Sequence, residues 1–282
     1  MKIYIIIPAF NEEENIRKTL LSLVNQTLLP EKLLVVNDNS TDNTSEVVAE
    51  FIKDYPFVSI ISSLGEGAHA PGSKIINAFN IGYAFLDEEY DIICKFDADL
   101  VFPENYLEKI ADAFKEDPTV GIAGGYCTIL KDESWVLENL TGKDHVRGAL
   151  KAYRKGCFLA IGKLKPAMGW DTVDELQAQF HGWKVETIPD LYVQHLKPTG
   201  SSYNKKARYK QGTAFYRLRY GVGLSLIASA KLAYKKRDIE FFINCVKGYI
   251  SAKTAQTDFL VSEEEGRFIR NLRWKNIIKK IF

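Results

Sequence analysis

Apolar stretches of strand length alternate with segments of helical spacing through residues 2–96 of this 282-residue chain. Strands are predicted at 2–7, 33–36, 58–61 and 92–96, and helices at 11–26, from Ser40 or Thr41 onward, and at 73–86. Such alternation predicts a mostly parallel sheet covered on both faces, because each parallel pair needs a crossover segment. Ligands of these sheets bind beyond the carboxyl ends of the strands.

Two aspartates, Asp97 and Asp99, follow the fourth predicted strand. In an extended chain, residues i and i+2 point to the same side, so both carboxylates can converge on one point. Like charges at the end of a buried strand are unfavourable unless a cation, donors or water compensates them. Carboxylate oxygens suit a hard ion such as Mg²⁺ or Mn²⁺. A solvated turn containing two aspartates is the alternative.

The composition excludes several classes of protein. The length suits one large domain with an appendage, or two domains. A net charge of +1 gives no global reason to expect a nucleic acid partner. The cysteines are scattered without a CxxC pair, which argues against structural zinc and favours a reducing, cytoplasmic compartment. The apolar N-terminal run is too short for a signal peptide or membrane span.

The pattern becomes mixed from Gly121 onward. It predicts a strand at Gly121–Ile129, a helix near His145–Tyr153, a helix at 171–181, and strands at 184–188 and 191–195. Beyond Tyr220 the chain reads as helical and basic.

Four segments, taken together, resemble the inverting family 2 nucleotide-sugar glycosyltransferases of the GT-A fold. They are Ile6–Glu12, Val35–Asp42, Lys74 with Asn77, Asn80 and Gly82, and Asp97-Ala98-Asp99. The resemblance covers residues 1–125 well and extends more loosely to about residue 220. It implies an α/β fold with a mostly parallel, Rossmann-like sheet and a mixed second half.

The same resemblance implies a division of the chain. A GT-A catalytic domain would span 1–220, with a nucleotide-binding half at 1–125 and an acceptor-binding half at 126–220. A helical, basic extension would follow at 221–282.

The resemblance assigns the first loops to the nucleotide. Asp38 matches the carboxylate that accepts a hydrogen bond from the base, which suits a uracil N–H. Asn37 and Asn39 replace an aspartate and a glycine of most relatives, and asparagine tolerates the left-handed backbone of that turn. Lys74 either meets phosphate or is a solvated residue at a helix start. The residues expected to border the nucleotide are Pro8, Ala9, Phe10 and Glu12.

The resemblance also assigns a divalent metal, Mn²⁺ or Mg²⁺. Asp99 would bind it directly, and Asp97 would serve the ribose or the metal. His195 matches a histidine that often approaches the metal or the diphosphate in relatives, although a lone histidine is usually structural.

Inverting transfer needs a carboxylate that deprotonates the acceptor hydroxyl. In the family this base starts a helix ahead of a Gly-Trp pair, here Gly182-Trp183. Asp171 occupies that position, and Asp174 and Glu175 are rivals one turn further along. The alternative role for Asp171 is that of a helix N-cap.

Two basic segments complete the chain. The stretch Ser201–Arg219 either closes over the diphosphate, with Lys210-Gln211-Gly212 nearest, or is a solvated basic face. Residues 267–282 have the spacing of a basic amphipathic helix. That helix either contacts the inner face of an anionic membrane or docks on its own catalytic domain.

These assignments predict a metal-dependent inverting glycosyltransferase that moves a sugar from a UDP-linked donor to a hydroxyl of a glycan or lipid-linked acceptor. The runner-up is a polyprenyl-phosphate glycosyl synthase, which needs no protein base because its acceptor phosphate is already anionic. A nucleotidyltransferase lacks support, since no glycine-rich loop follows the first strand. The non-enzymatic alternative is a nucleotide- or glycan-binding module without turnover.

Overall fold

The computed structural model describes residues 1–63, 73–138, 144–197 and 206–281. They form two compact units. The first comprises Met1–Pro166 and His181–Ser201, and the second Ala167–Phe180 and Ser202–Phe282. The second unit therefore begins before residue 221 and includes segments that the sequence-based division groups with the catalytic domain.

A single sheet organises the first unit, with nine strands in the described residues. They are β1 (Ile3–Ala9), β2 (Lys32–Asn37), β3 (Val58–Ser62), β4 (Ile92–Phe96), β5 (Leu100–Val101), β6 (Val120–Lys131), β7 (Ser134–Leu137), β8 (Leu150–Arg154) and β9 (Lys184–His195). The order is β3-β2-β1-β4-β8-β6-β9-β5, with β7 paired to β6. The pairs β3–β2, β2–β1 and β1–β4 are parallel, as predicted, whereas β8 runs antiparallel to β4 and β6. The carboxyl ends of β1, β2 and β4 therefore meet at one edge.

The helices of this unit are α1 (Ile16–Val24), α2 (Thr44–Asp54), α3 (Ser73–Phe85), α4 (Tyr106–Glu116) and α5 (Lys155–Ala160). Helix α3 buries the predicted face, Ile76, Phe79 and Tyr83. A Cβ at Gly82 would lie 2.6 Å from Val36 Cγ2 and 2.9 Å from Ile6 Cγ2. Glycine is therefore required for α3 to approach β1 and β2 this closely.

The first two helices begin later than predicted. Helix α1 begins at Ile16 rather than Asn11, and α2 begins at Thr44 rather than after a Ser40 or Thr41 cap. The residues before each helix lie in the loops at the sheet edge. Their side chains bond to backbone groups there, and such bonds compete with helix formation.

The predicted helix near His145–Tyr153 is wrong. Residues Leu150–Arg154 form β8, which pairs with β4 from Phe96↔Leu150 to Ile92↔Arg154. Lys151 and Ala152 are both buried, as expected of a strand covered on two faces. A short apolar run fits both a strand and a helix. Here the strand forms because it pairs with the edge of β4 that β1 leaves open.

The second unit is helical. Its helices are α6 (Trp170–Phe180), α7 (Lys206–Arg217), α8 (Gly221–Lys236), α9 (Ile239–Thr254) and α10 (Glu263–Ile281). Val173 and Leu176 of α6 share a core with Phe215, Leu224 and Ile269. The helical prediction for 171–181 and for the chain beyond Tyr220 is therefore confirmed.

Helix α10 is tied into the second unit at its start. The Ser262 hydroxyl accepts from the Glu265 N–H, and the Glu265 carboxylate accepts from the Ser262 N–H, which is a capping box. Glu265 also accepts a 2.6 Å bond from Gln177 Nε2 of α6. The apolar side of the predicted amphipathic helix includes Trp274, Ile277 and Ile278. Ile277 packs on the core of the second unit, whereas Trp274 and Ile278 are exposed.

The predicted basic loop is a helix from Lys206 onward, and residues 201–205 lie outside the described part of the chain. Arg217 Nε donates to Asp258 O at 2.9 Å, and Arg219 Nε donates to Val261 O at 3.0 Å. These two arginines hold the second unit together. In the ranges that the structure describes, none of the helices has the length and apolarity needed to cross a bilayer.

Candidate active site at the edge of the parallel sheet

The loops that follow β1 and β2 are joined by hydrogen bonds. Asn11 N donates to Ser40 Oγ at 3.0 Å, and Thr41 N donates to Asn11 Oδ1 at 2.8 Å. At the base of the loops, Asp38 N donates to Ala9 O at 2.8 Å. The two loops therefore form one connected rim, in which Asp38 is placed directly beside the end of β1.

The turn after β2 has the conformation that the sequence predicts. Asn39 has φ +60, in the left-handed region that asparagine tolerates. Asn37 Oδ1 accepts from Ser40 N at 2.9 Å, and Asn37 Nδ2 donates to Ser45 Oγ at 2.7 Å. An amide at position 37 thus stabilises the turn through both a donor and an acceptor, which a carboxylate could not do.

Lys74, at the start of α3, contacts the predicted base-binding residues. Its Nζ lies 3.3 Å from Asp38 Oδ2 and 4.2 Å from the centre of the Phe10 ring. Lys74 is therefore engaged with this edge of the sheet rather than being a solvated residue at the helix start. Its contact with phosphate stays a prediction.

Glu12 lies at the same edge. Its carboxylate accepts from Lys197 Nζ at 2.7 Å and from Asn15 Nδ2 at 3.2 Å. Burial raises the pKa of Glu12 above its usual value, the two bonds act in the opposite direction, and the charge of Asp99 adds to the rise. The effect of Asp99 on Glu12 shows that the loop after β1 lies near the acidic turn Asp97–Asp99 after β4.

A buried threonine on α1 holds the acidic turn. Thr19 Oγ1 donates to Ala98 O at 2.8 Å and accepts from Leu100 N at 3.1 Å. Asp99 O accepts from Leu196 N at 2.9 Å. The backbone on both sides of Ala98 is therefore fixed by side-chain and cross-strand bonds.

We expect Thr19→Val to destabilise the full chain by about 2 to 4 kcal/mol, because it leaves one buried acceptor and one buried donor unsatisfied. Valine keeps the size and β-branching, so helix propensity is nearly matched. Thr19→Ser is the control, since it keeps the hydroxyl and loses about 1 kcal/mol for the methyl. Urea unfolding measures both, and equal destabilisation would contradict the role of the hydroxyl.

Asp97 is paired with a lysine. Lys95 Nζ donates to Asp97 Oδ1 and, at 3.1 Å, to Gly148 O, and the Lys95 side chain is buried. A buried ammonium needs such partners. The pairing reduces the negative charge that Asp97 can offer to a second cation. Asp99 instead faces His195.

Asp99 faces a chain of charged side chains. His195 Nε2 lies 3.5 Å from Asp99 Oδ2, and His195 Nδ1 lies 3.1 Å from Glu138 Oε2. Arg147 Nη1 donates to the same Glu138 oxygen at 2.8 Å. The pairing of β9 with β5 brings this about, because Leu100 is opposite His195 in the register.

Burial disfavours the charged imidazole, but the bonds to Asp99 and Glu138 outweigh it and raise the pKa of His195 to about 9. Glu138, Cys127 and His195 also place ligand atoms within 4.8 Å of one another. A histidine whose Nδ1 is held by a carboxylate presents Nε2 to a metal in many proteins. The Asp99 oxygen and His195 Nε2 would fit a Mn²⁺ or Mg²⁺ ion once Nε2 has lost its proton, because a protonated imidazole has no lone pair to offer, and Glu138 and Arg147 would orient the ring.

The predicted catalytic base and its rivals lie on α6 in the second unit. Gly169 has φ +76 and immediately precedes the helix, so Asp171 is the second helical residue and not the N-cap. Asp171 is half-buried, whereas Asp174 and Glu175 are buried. Asp171 is the more accessible of the three, and its role as a base stays a prediction.

The parallel half of the sheet, with an acidic turn at the end of β4 and a carboxylate at the end of β2, defines a nucleotide-sugar transferase fold of the GT-A type. The solved structures bear this out. The mannosyltransferase PcManGT from Pyrobaculum calidifontis, in complex with GDP-Man and Mn²⁺, matches with a TM-score of 0.58 at 16% identity over 98% of this chain and 80% of that one. TarS 1–349 from S. aureus, in complex with UDP-GlcNAc, matches with a TM-score of 0.60 at 17% identity over 82% and 72%.

The chain belongs to glycosyl transferase family 2, whose model matches residues 4–155. The probable glycosyltransferase YdaM of Bacillus subtilis is 39% identical over 112 residues, which are 39% of this chain and 24% of YdaM. The dolichol-phosphate mannosyltransferase of Pyrococcus furiosus is 31% identical over 137 residues, which are 48% and 36% of the two chains. The matched part thus spans well under half of either relative.

Proposed function

We propose that this chain transfers a sugar from a UDP-linked donor to an acceptor hydroxyl, with inversion and with a divalent metal. The observation that carries the proposal is the meeting of Asp38, Lys74, Glu12 and the Asp97–Asp99 turn at one edge of the sheet, within a family 2 domain. Carboxylates and a lysine at the carboxyl ends of parallel strands suit a nucleotide diphosphate and its metal.

Each residue has a distinct part in donor binding. Asp38 accepts a hydrogen bond from the uracil N–H, and Phe10 provides an exposed ring beside it. Lys74 contacts a phosphate oxygen once the donor displaces it from Asp38. Asp97 accepts from a ribose hydroxyl, which suits a carboxylate whose charge Lys95 already offsets.

Asp99 and His195 Nε2 would hold the metal. When bound, Mn²⁺ or Mg²⁺ supplies positive charge to the departing diphosphate. In the proposed reaction, the acceptor oxygen attacks the anomeric carbon, the bond from that carbon to the phosphate oxygen breaks, and Asp171 takes the hydroxyl proton. Attack from the face opposite the diphosphate inverts the configuration.

Thermal-shift measurements with UDP-, GDP- and dTDP-sugars test donor binding. We expect a UDP-sugar at saturating concentration to raise the melting temperature by about 5 °C with Mn²⁺ and by much less without it. A larger shift with a GDP-sugar would identify the donor as a GDP-sugar instead. The absence of any metal-dependent shift would overturn the proposal. Donor binding without hydrolysis or transfer of the sugar would instead support the binding-module alternative.

The second candidate is a polyprenyl-phosphate glycosyl synthase, which the likeness to the dolichol-phosphate mannosyltransferase favours. Its acceptor is an anionic phosphate, so Asp171 would be dispensable for turnover. Transfer to a polyprenyl phosphate, compared with transfer to a hydroxyl acceptor, separates the two activities.

A further inference from the structure

Helix α8 exposes apolar side chains where the outer face of a helix is normally polar. Val222 is 54% exposed and Tyr234 is 89% exposed, and Leu226 and Ile227 lie between them at helical spacing. Lys231 and Lys235 extend the same exposed side, and α8 contains no acidic residue. The second unit thus has an apolar and basic helix face.

Helix α10 continues this face. A Cβ at Gly223 of α8 would lie 3.7 Å from the Trp274 ring, so Trp274 borders the exposed side of α8. Trp274 and Ile278 are exposed and one helical turn apart, and Lys275 and Lys279 beside them are exposed as well. We call this the α8–α10 surface: Val222, Leu226, Ile227, Lys231, Tyr234, Lys235, Trp274, Lys275, Ile278 and Lys279.

The charge of the chain is strongly divided along its length. Residues 201–282 contain 18 lysines and arginines and 6 acidic residues, a net charge of +12, whereas residues 1–200 have a net charge of −11. None of the 6 acidic residues lies on α8 or beyond Glu265. The near-neutral total therefore conceals a basic segment that coincides with the exposed apolar face.

We propose that the α8–α10 surface docks on an anionic lipid bilayer. The apolar side chains would enter the boundary between headgroups and acyl chains while the lysines contact anionic headgroups. Tryptophan and tyrosine are suited to that boundary because each has an apolar ring and a polar group. A second copy of this chain would bring two strongly positive surfaces together, and Val222, Leu226 and Ile227 offer a nucleic acid no polar contacts.

Docking through this surface goes beyond the proposed transfer reaction, and it requires neither donor nor metal. It would bring the chain to the surface where lipid-linked acceptors reside. Vesicle binding without nucleotide sugar therefore tests it separately from the glycosyltransferase activity.

The test is co-sedimentation of the full chain with vesicles of phosphatidylcholine, with and without phosphatidylglycerol. We expect the protein to pellet with the anionic vesicles only, and less at high salt. The double variant Leu226→Ser/Ile227→Ser should lower the partition coefficient about tenfold, because two inserted aliphatic side chains are lost.

The matched control is Leu21→Ser/Ile81→Ser in the first unit, where the two side chains are 44% and 38% exposed against 40% and 41% for Leu226 and Ile227. This control should bind as the wild type does. Equal binding to neutral and anionic vesicles, or equal losses in the two double variants, would overturn the proposal. The proposal would also fail if the wild type were a dimer and the Leu226→Ser/Ile227→Ser variant a monomer, because a second copy would then cover the α8–α10 surface.

Discussion

Asp99→Asn should lower kcat by about 10³-fold or more and abolish the Mn²⁺-dependent part of the donor thermal shift. The substitution keeps the size of the side chain and removes the negative charge opposite His195 Nε2. Asp97 cannot replace that charge, because Lys95 already pairs with it. Turnover of nucleotide sugar and a Mn²⁺ titration followed by thermal shift measure the two effects.

The matched control for this change is Asp112→Asn. Asp112 is a residue of α4 whose side chain is 46% exposed, and its carboxylate lies 3.4 Å from Lys115 Nζ. Its variant should retain wild-type turnover and metal dependence. An Asp99→Asn variant that still shows a Mn²⁺-dependent donor shift would exclude Asp99 as the principal metal ligand.

Asp171→Asn should lower kcat by about 10² to 10⁴-fold with a hydroxyl acceptor, the usual contribution of a general base. Donor binding should be unchanged, because the assigned donor contacts lie on other elements. The measurements are kcat with the acceptor in excess and the metal-dependent thermal shift with the donor alone.

Asp174→Asn and Glu175→Gln serve as comparisons for Asp171→Asn because they change carboxylates on the same helix. Both residues are buried, so their variants should lose stability more than turnover. If one of them instead caused the large fall in kcat, the base would be reassigned to that residue. Full activity of Asp171→Asn towards a polyprenyl phosphate would favour the second candidate function.

Much of the first unit could be predicted because its information is local. The strands β1 to β4 are mostly apolar runs, broken inside only by Ser59 in β3 and Lys95 in β4, and the parallel order follows from the helices between them. Asn39 could be assigned to a left-handed turn because it replaces a glycine of most relatives and asparagine tolerates that backbone. Lys95 was open to prediction as well, because a lysine two residues before Asp97 in a buried strand must point to the same side.

Other site residues carry no local signal. Glu138 lies in a stretch without a clear pattern and Arg147 in the helix wrongly predicted near His145–Tyr153, and the two meet at His195 only because β6, β8 and β9 lie side by side. Thr19 looks like an ordinary helix residue, yet its hydroxyl bonds to Ala98 O, 79 positions later in the chain. The strand β8 was mistaken for a helix for the same reason, since its partner β4 is distant in sequence.

By itself, the sequence determined the alternating α/β order and the placement of Asp38, Asp97 and Asp99 at strand ends, because strand periodicity and chain direction are local properties. Tertiary structure alone decided which charges face each other: Lys95 with Asp97, and His195 with Asp99 and Glu138. It also decided that an apolar helix face stays exposed on α8. These outcomes depend on which elements pack together, and the free energy of that packing is shared among residues far apart in the chain.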